Sequence, residues 1–177
     1  MDRLSIRLAA GITILVVGLL AVGLSALSAH HSSRIIEERK RAAELQNRLL
    51  EVMLRHQMLV KDKELIAASL AEVGAQPDVR RAMILDHKGV VRASSDPRRI
   101  GETIPRDSET CVACHREDPD QRERWVLLDS AEGATLRSVQ PIENRPECHE
   151  CHEPTERMNG MLILDVSLDG VMAQIRR

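Results

Sequence analysis

The sequence predicts an α+β protein: an N-terminal transmembrane helix continuing into a long helix, then a small antiparallel sheet of about five strands. Three observations predict it. Residues 8 to 29 carry no charge. From Ser32 to about Gly74 the chain is free of Pro and rich in Glu, Arg, Leu and Ala. From Val79 onward the apolar residues change to period two, with turn residues between the runs.

The first run, "LAAGITILVVGLLAVGLSALSA", is ~33 Å long as a helix, enough to cross a hydrocarbon core. Arg3 and Arg7 precede it. A cleaved signal peptide is the alternative, but the apolar region is long for one and "ALS" at 26 to 28 is a poor cleavage site. Arg34, Arg39, Lys40, Arg41 and Arg48 follow the span, so a positive-inside count places the rest in the cytoplasm. Long segments cross largely regardless of charge, and the cysteines described below argue for the periplasm. The expected layout is a cytoplasmic N-terminus (1–7), an inner-membrane anchor (8–29), a stalk helix (30–74) and a periplasmic domain (75–177).

In the stalk, apolar residues recur at alternating three and four: Ile35, Ala42, Leu45, Leu49, Val52, Leu59, Ile66, Leu70 and Val73. His56 and Lys63 share the seam and Glu38 interrupts it. This is an imperfect heptad. It suits a parallel homodimer, and equally a helix packed on its own domain.

"GAQPD" ends the helix. "VRRAMILD" (79–86) and "VVRASS" (90–95) flank an "HKG" turn and read as a hairpin. "WVLLD" (125–129) and "ATLRSVQPI" (134–142) read as a second pair joined through Gly133. "MLILDVSL" (161–168) alternates most cleanly of all, and "DGVMAQIRR" reads as the start of a helix.

Net charge is −2 over 177 residues, which implies no nucleic-acid partner. No Ser–His–Asp pattern, phosphate loop or open zinc triad can be singled out, so no enzyme is expected. The chain has one Trp and no Phe or Tyr. A core without aromatics lacks their buried area unless a large apolar body comes from elsewhere.

All four cysteines fall in two Cys-x-x-Cys-His units: Cys111, Cys114 and His115 in "ETCVACHRE", and Cys148, Cys151 and His152 in "PECHECHEP". In c-type attachment two thiols add across the vinyl groups of a haem, and the adjacent His ligates the iron. Two units account for two covalent haem c groups, with His115 and His152 as proximal ligands. Covalent attachment also places the domain outside the cytoplasmic membrane. Zinc in a Cys₄ site is the main alternative; a redox pair and simple disulfides are the others. Distal iron ligands are drawn from His87, His149, Met158 and Met161. Met83 reads as core, and His30 and His31 as solvated.

"MILDHKGVVRASSDPRRIGETI" (83–104), "PIENRPECHECH" (141–152) and "NGMLILDVSL" (159–168) resemble membrane-bound bacterial sensor domains of the PAS/Cache type with c-type haem. These are the extracytoplasmic inputs of sensor histidine kinases and chemoreceptors. The resemblance covers roughly residues 30 to 177. It implies haem on both units, dimerisation and signalling through the long helix, a second membrane span and a cytoplasmic output domain. This chain stops at Arg177 with neither of the last two. The expected function is a dihaem c-type sensor of redox state or gas, working with a kinase or chemoreceptor. A membrane-anchored dihaem cytochrome for electron transfer to a redox partner is the second reading, and a zinc-binding interaction domain the third.

Overall fold

The computed structural model describes residues 3–108, 111–112, 118, 121–130 and 133–175. Helix α1 runs without interruption over Arg3–Leu59, ~86 Å at the helical rise. Its apolar part is long and apolar enough to cross a membrane, and every residue from 11 to 30 is exposed. Ser25 Oγ donates to the Ala21 carbonyl at 2.8 Å, so the hydroxyl is satisfied within the helix itself.

The expected single stalk helix through residue 74 is corrected here. The chain breaks after Leu59, where Lys61 takes φ 60°. Asp62 then caps a second helix, α2 (Lys63–Gly74), by accepting the Leu65 N–H at 2.8 Å. Asp62 with Glu64 in the next turn is an ordinary N-terminal signal. The break lets α2 fold back, so that Leu70 is fully buried against the sheet. Gln57 Nε2 donates to Ser69 Oγ at 2.9 Å and ties the two helices together.

The sheet comprises β1 (Val79–Asp86), β2 (Val91–Ser94), β3 (Trp125–Ser130), β4 (Gly133–Glu143) and β5 (Met158–Ser167). Every pairing is antiparallel and the spatial order is β2-β1-β5-β4-β3. The last strand is thus the central one. It begins three residues earlier than its alternation suggests, because Met158 still pairs with Glu143. A short helix α3 (Asp169–Ile175) follows and buries Val171. A 3₁₀ turn at Pro97–Arg99 follows the hairpin.

Period two sorts the sheet into two faces. Ala82, Ile84, Leu136, Leu162, Leu164 and Val166 meet the helices. Met83, Leu85, Val91 and Ile163 form a smaller cluster on the other face, closed by Ile104. Met83 is core, as its strand position suggested.

Helix α1 meets the sheet through Ala43, Asn47, Leu50 and Leu54, all buried. Asn47 Nδ2 donates to Ser138 Oγ at 3.1 Å and to the Leu162 carbonyl at 3.3 Å. Lys40 stacks 3.4 Å from the Trp125 ring centroid, a cation–π contact that fastens α1 to β3. The seam read from the heptad lies on another side. Leu45, Leu49 and Val52 are 59%, 62% and 50% exposed, so this side of α1 faces away from the buried core.

On the opposite face, Arg137 grips Asp165 with both arms, at 2.7 and 2.8 Å. Arg81 Nη1 approaches the same carboxylate at 3.6 Å. The pair spans β4 and β5 in direct register and is nearly solvent-free. Asp165→Ala leaves a buried guanidinium unpaired and is expected to cost about 3–5 kcal/mol, measured by chemical denaturation of the detergent-solubilised protein.

The β1–β2 turn is organised by Asp86. Its carboxylate accepts the Lys88 and Val90 N–H groups at 2.8 and 2.9 Å and Arg92 Nε at 2.8 Å. Gly89, at φ 82°, closes the turn. Desolvation pushes the Asp86 carboxyl up, but the Val90, Arg92 and Lys88 bonds together outweigh it and hold it below its ordinary value. A depressed carboxylate stabilises above its unfolded pKa and loses that contribution as pH falls through the folded one. The hairpin is therefore expected to loosen below about pH 4, and Asp86→Asn to flatten this acid limb in pH-dependent thermal melts.

Candidate functional site

Cys111 of the first unit and the whole of the second lie at the same end of the sheet, against opposite faces. The cleft of ≈ 280 Å³ beside the first unit is lined by Leu85, Ile104 and Met161 together with His87, Cys111 and Met158. Leu85 and Ile104 belong to the face away from α1. Arg106, Arg122 and Arg157 also line this cleft. Cys111 and Val112 begin a helical turn, each N–H bonding the Ser108 carbonyl at 2.9 Å. Cys114 and His115 lie outside the described residues.

The second unit is fully described. Pro146–Cys148 is a 3₁₀ turn. The Cys151 and His152 N–H groups both bond the Cys148 carbonyl, at 3.1 and 3.0 Å. Those bonds wind the unit into one helical turn, which brings i, i+3 and i+4 to one side. Pro146 suits this start because its fixed φ is helical and it has no N–H to lose. Cys148 is half-buried, and Cys151 and His152 are exposed. Both thiols are free.

Beneath this turn lies a small cavity of ≈ 40 Å³, lined by Met58 and Leu59 from the end of α1, by Ile142 and Asn159, and by the unit itself. The Asn159 Oδ1 is buried and has no hydrogen-bond partner among the described residues. Lys61, at the break after α1, reaches Glu150 Oε2 at 3.5 Å. Cys151 and then Glu150 raise the Lys61 ammonium above its ordinary value. The second unit therefore touches the helix that carries the apolar segment.

The distal candidates separate clearly. His87, Met158 and Met161 all line the first cleft with Cys111. His87 stands on the Asp86 turn with Nδ1 3.3 Å from Glu156 Oε2. Met158 is 41% exposed. His149 is exposed and lines neither cavity. Sequence reasoning missed Met58, which looks like any apolar helix residue, and Glu156, which looks like surface charge. Only the fold places them beside a cysteine unit.

Among the described residues, no three of His, Cys, Asp and Glu converge to hold a single metal ion. Cys111 and the Cys148–Cys151 pair line separate cavities, an arrangement that does not gather their sulfurs around one tetrahedral zinc.

No family model matches the chain, and no curated protein matches it. Among solved structures it is similar to an extracellular ligand binding receptor from Desulfohalobium retbaense DSM5692. The two share 15% identity at a TM-score of 0.35, over 74% of this chain and 27% of that one.

Proposed function

We propose that this chain is a membrane-anchored, periplasmic dihaem c-type sensor domain for redox or gas signals. The observation that carries the reading is that Cys111 of the first unit shares a cleft with three further donors suited to iron, His87, Met158 and Met161, and that the second unit is wound into a turn with Cys148, Cys151 and His152 on one side.

The residues fit the group differently at the two places. In the first cleft, apolar walls suit a porphyrin plate, and the three arginines suit its two carboxylates. Cys111 and Cys114 would carry the thioether bonds, with His115 as proximal ligand. At the second unit, Cys148, Cys151 and His152 already share one side of a turn. The space beneath is far smaller than a porphyrin, so the exposed outer side of the turn is left to hold it. The orphaned Asn159 Oδ1 offers an acceptor for the His152 ring N–H, the kind of partner that orients a ligating imidazole. When bound, haem supplies a redox-active iron able to take a sixth ligand.

Transduction follows from contacts within the chain. Met58, Leu59 and Lys61 join the second unit directly to the end of α1, so a shift of that turn moves the helix. The exposed Leu45, Leu49 and Val52 seam suits pairing with a second copy, whose parallel orientation a membrane anchor would enforce. A kinase or chemoreceptor would read the resulting helix displacement. The exposure of Cys151 and His152 favours one second reading, electron transfer to a docking redox partner.

Purification from a host able to mature c-type cytochromes, with denatured mass analysis and an absorption spectrum, is expected to show two covalent haems. The C148S/C151S variant is expected to keep one. A chain without a Soret band, or carrying zinc, would refute the reading. Spin labels at Leu45 and Leu49 should change their inter-copy distance between ferric and ferrous forms; fast exchange with a soluble cytochrome and no such change would favour electron transfer.

A further inference from the structure

We propose that the groove between α1 and the β3–β4 edge of the sheet binds a soluble aliphatic dicarboxylate, which clamps the helix to the sheet. The groove has a volume of ≈ 240 Å³. Arg41, Glu44 and Arg48 line it from α1, Arg124 from the residue before β3, and Ser138 and Gln140 from β4. None of these residues lines either cavity beside a cysteine unit, so the inference does not depend on haem.

The groove carries unbalanced charge. Three guanidinium groups and one carboxylate line it, which leaves two positive charges uncompensated. Among the described residues neither Arg48 nor Glu44 forms an ion pair. Arg41 approaches Glu37 at 3.8 Å, too far for a hydrogen bond. Arg124 Nη1 donates to Gln140 Oε1 at 3.2 Å, a neutral acceptor that orients the guanidinium without neutralising it. The Val139 N–H bonds the Arg124 carbonyl at 2.8 Å and fixes this residue against β4. Ser138 adds a buried polar group: it is 1% exposed and accepts from Asn47 Nδ2. Its own hydroxyl proton has no acceptor among the described residues and is available to an anion.

Geometry selects the shape of the ligand. Arg41 and Arg48 are seven residues apart, ~10.5 Å along the helix axis. A compact dianion such as phosphate meets one of them at a time. A chain with a carboxylate at each end meets both, each through the planar fork of a guanidinium. The source is soluble rather than a lipid headgroup. Ala29 ends the uncharged segment, and Arg41 follows twelve residues later in the same unbroken helix, ~18 Å farther on. Headgroups extend only ~5–8 Å beyond the hydrocarbon. Lys40 on Trp125 already ties α1 to β3 one residue away from Arg41 and Arg124, and a bound dianion adds a second tie.

The test uses the full-length chain in nonionic detergent at low salt. Succinate, glutarate, adipate, acetate and inorganic phosphate serve as probes in titration calorimetry. One dicarboxylate is expected to bind per chain, at least about tenfold tighter than acetate or phosphate. R48A and R124A, both at exposed positions, should each weaken it by about tenfold. E44Q should tighten it, because the like charge is removed. R34A, on the same helix outside the groove, should bind as wild type. Bound dicarboxylate should also slow amide hydrogen exchange in α1 around residues 41–48. Absence of binding by all three dicarboxylates would overturn the proposal. Phosphate binding as tight as theirs would overturn the dicarboxylate assignment. Affinity unchanged in both R48A and R124A, or weakened equally in R34A, would remove the groove as the site.

Discussion

The packing of α1 on β4 and β5 is the contact on which the rest of the structure depends. One helix must present an apolar surface all round in its first half and a single buried stripe in its second. Ala43, Leu50 and Leu54 supply that stripe, and Asn47 adds hydrogen bonds to Ser138 and the Leu162 carbonyl. Its two N–H groups find both acceptors, although its buried Oδ1 has no partner among the described residues, and they fix the axial position of the helix because a slip would leave them unmet. The chain has almost no aromatic side chains to wedge the layers, so Lys40 over Trp125 carries an unusual share of the docking at the β3 edge.

That register decides what lies beside the cysteine units. With Leu54 seated on the sheet, the following turn of α1 brings Met58, Leu59 and Lys61 to the second unit. The chain must then turn sharply, and Lys61 takes the left-handed conformation that α2 needs to return to the sheet. On the far face, the Arg137–Asp165–Arg81 cluster occupies the middle of the central strands and leaves the end near Leu85 and Met161 for the first cleft. Gly160 lets β5 approach the Leu85 carbonyl there, where a Cβ would collide with it. The start of β5 lines both cavities, Met158, Gly160 and Met161 in the first and Asn159 in the second.

Much of this was legible in particular residues. The alternation in Val79–Asp86 and Leu162–Leu168 read as strands, and both faces of each proved to be largely buried. The hairpin showed through Gly89, and the cysteine units through spacing alone. The α2 cap at Asp62 was also written in the chain, but the apolar seam ran across it and suggested continuity. The same seam, at Leu45, Leu49 and Val52, proved to be the exposed side of α1, since the docking stripe includes a buried Asn and Glu51 that hydropathy counts as surface.

By itself the sequence determined the apolar segment of α1, the α+β succession of elements and the spacing of the two Cys-x-x-Cys-His units. All of these depend on residues near one another in the chain, where period, caps and ligand spacing act directly. Only the tertiary structure decided which donors meet which unit: His87 and Glu156 at the first, Met58 and Asn159 at the second. Those residues come from segments far apart in sequence, and nothing local distinguishes them from a turn histidine, a surface acid or a core methionine. Their placement follows from the antiparallel order that puts β5 between β1 and β4, and from the helix register that Asn47 sets.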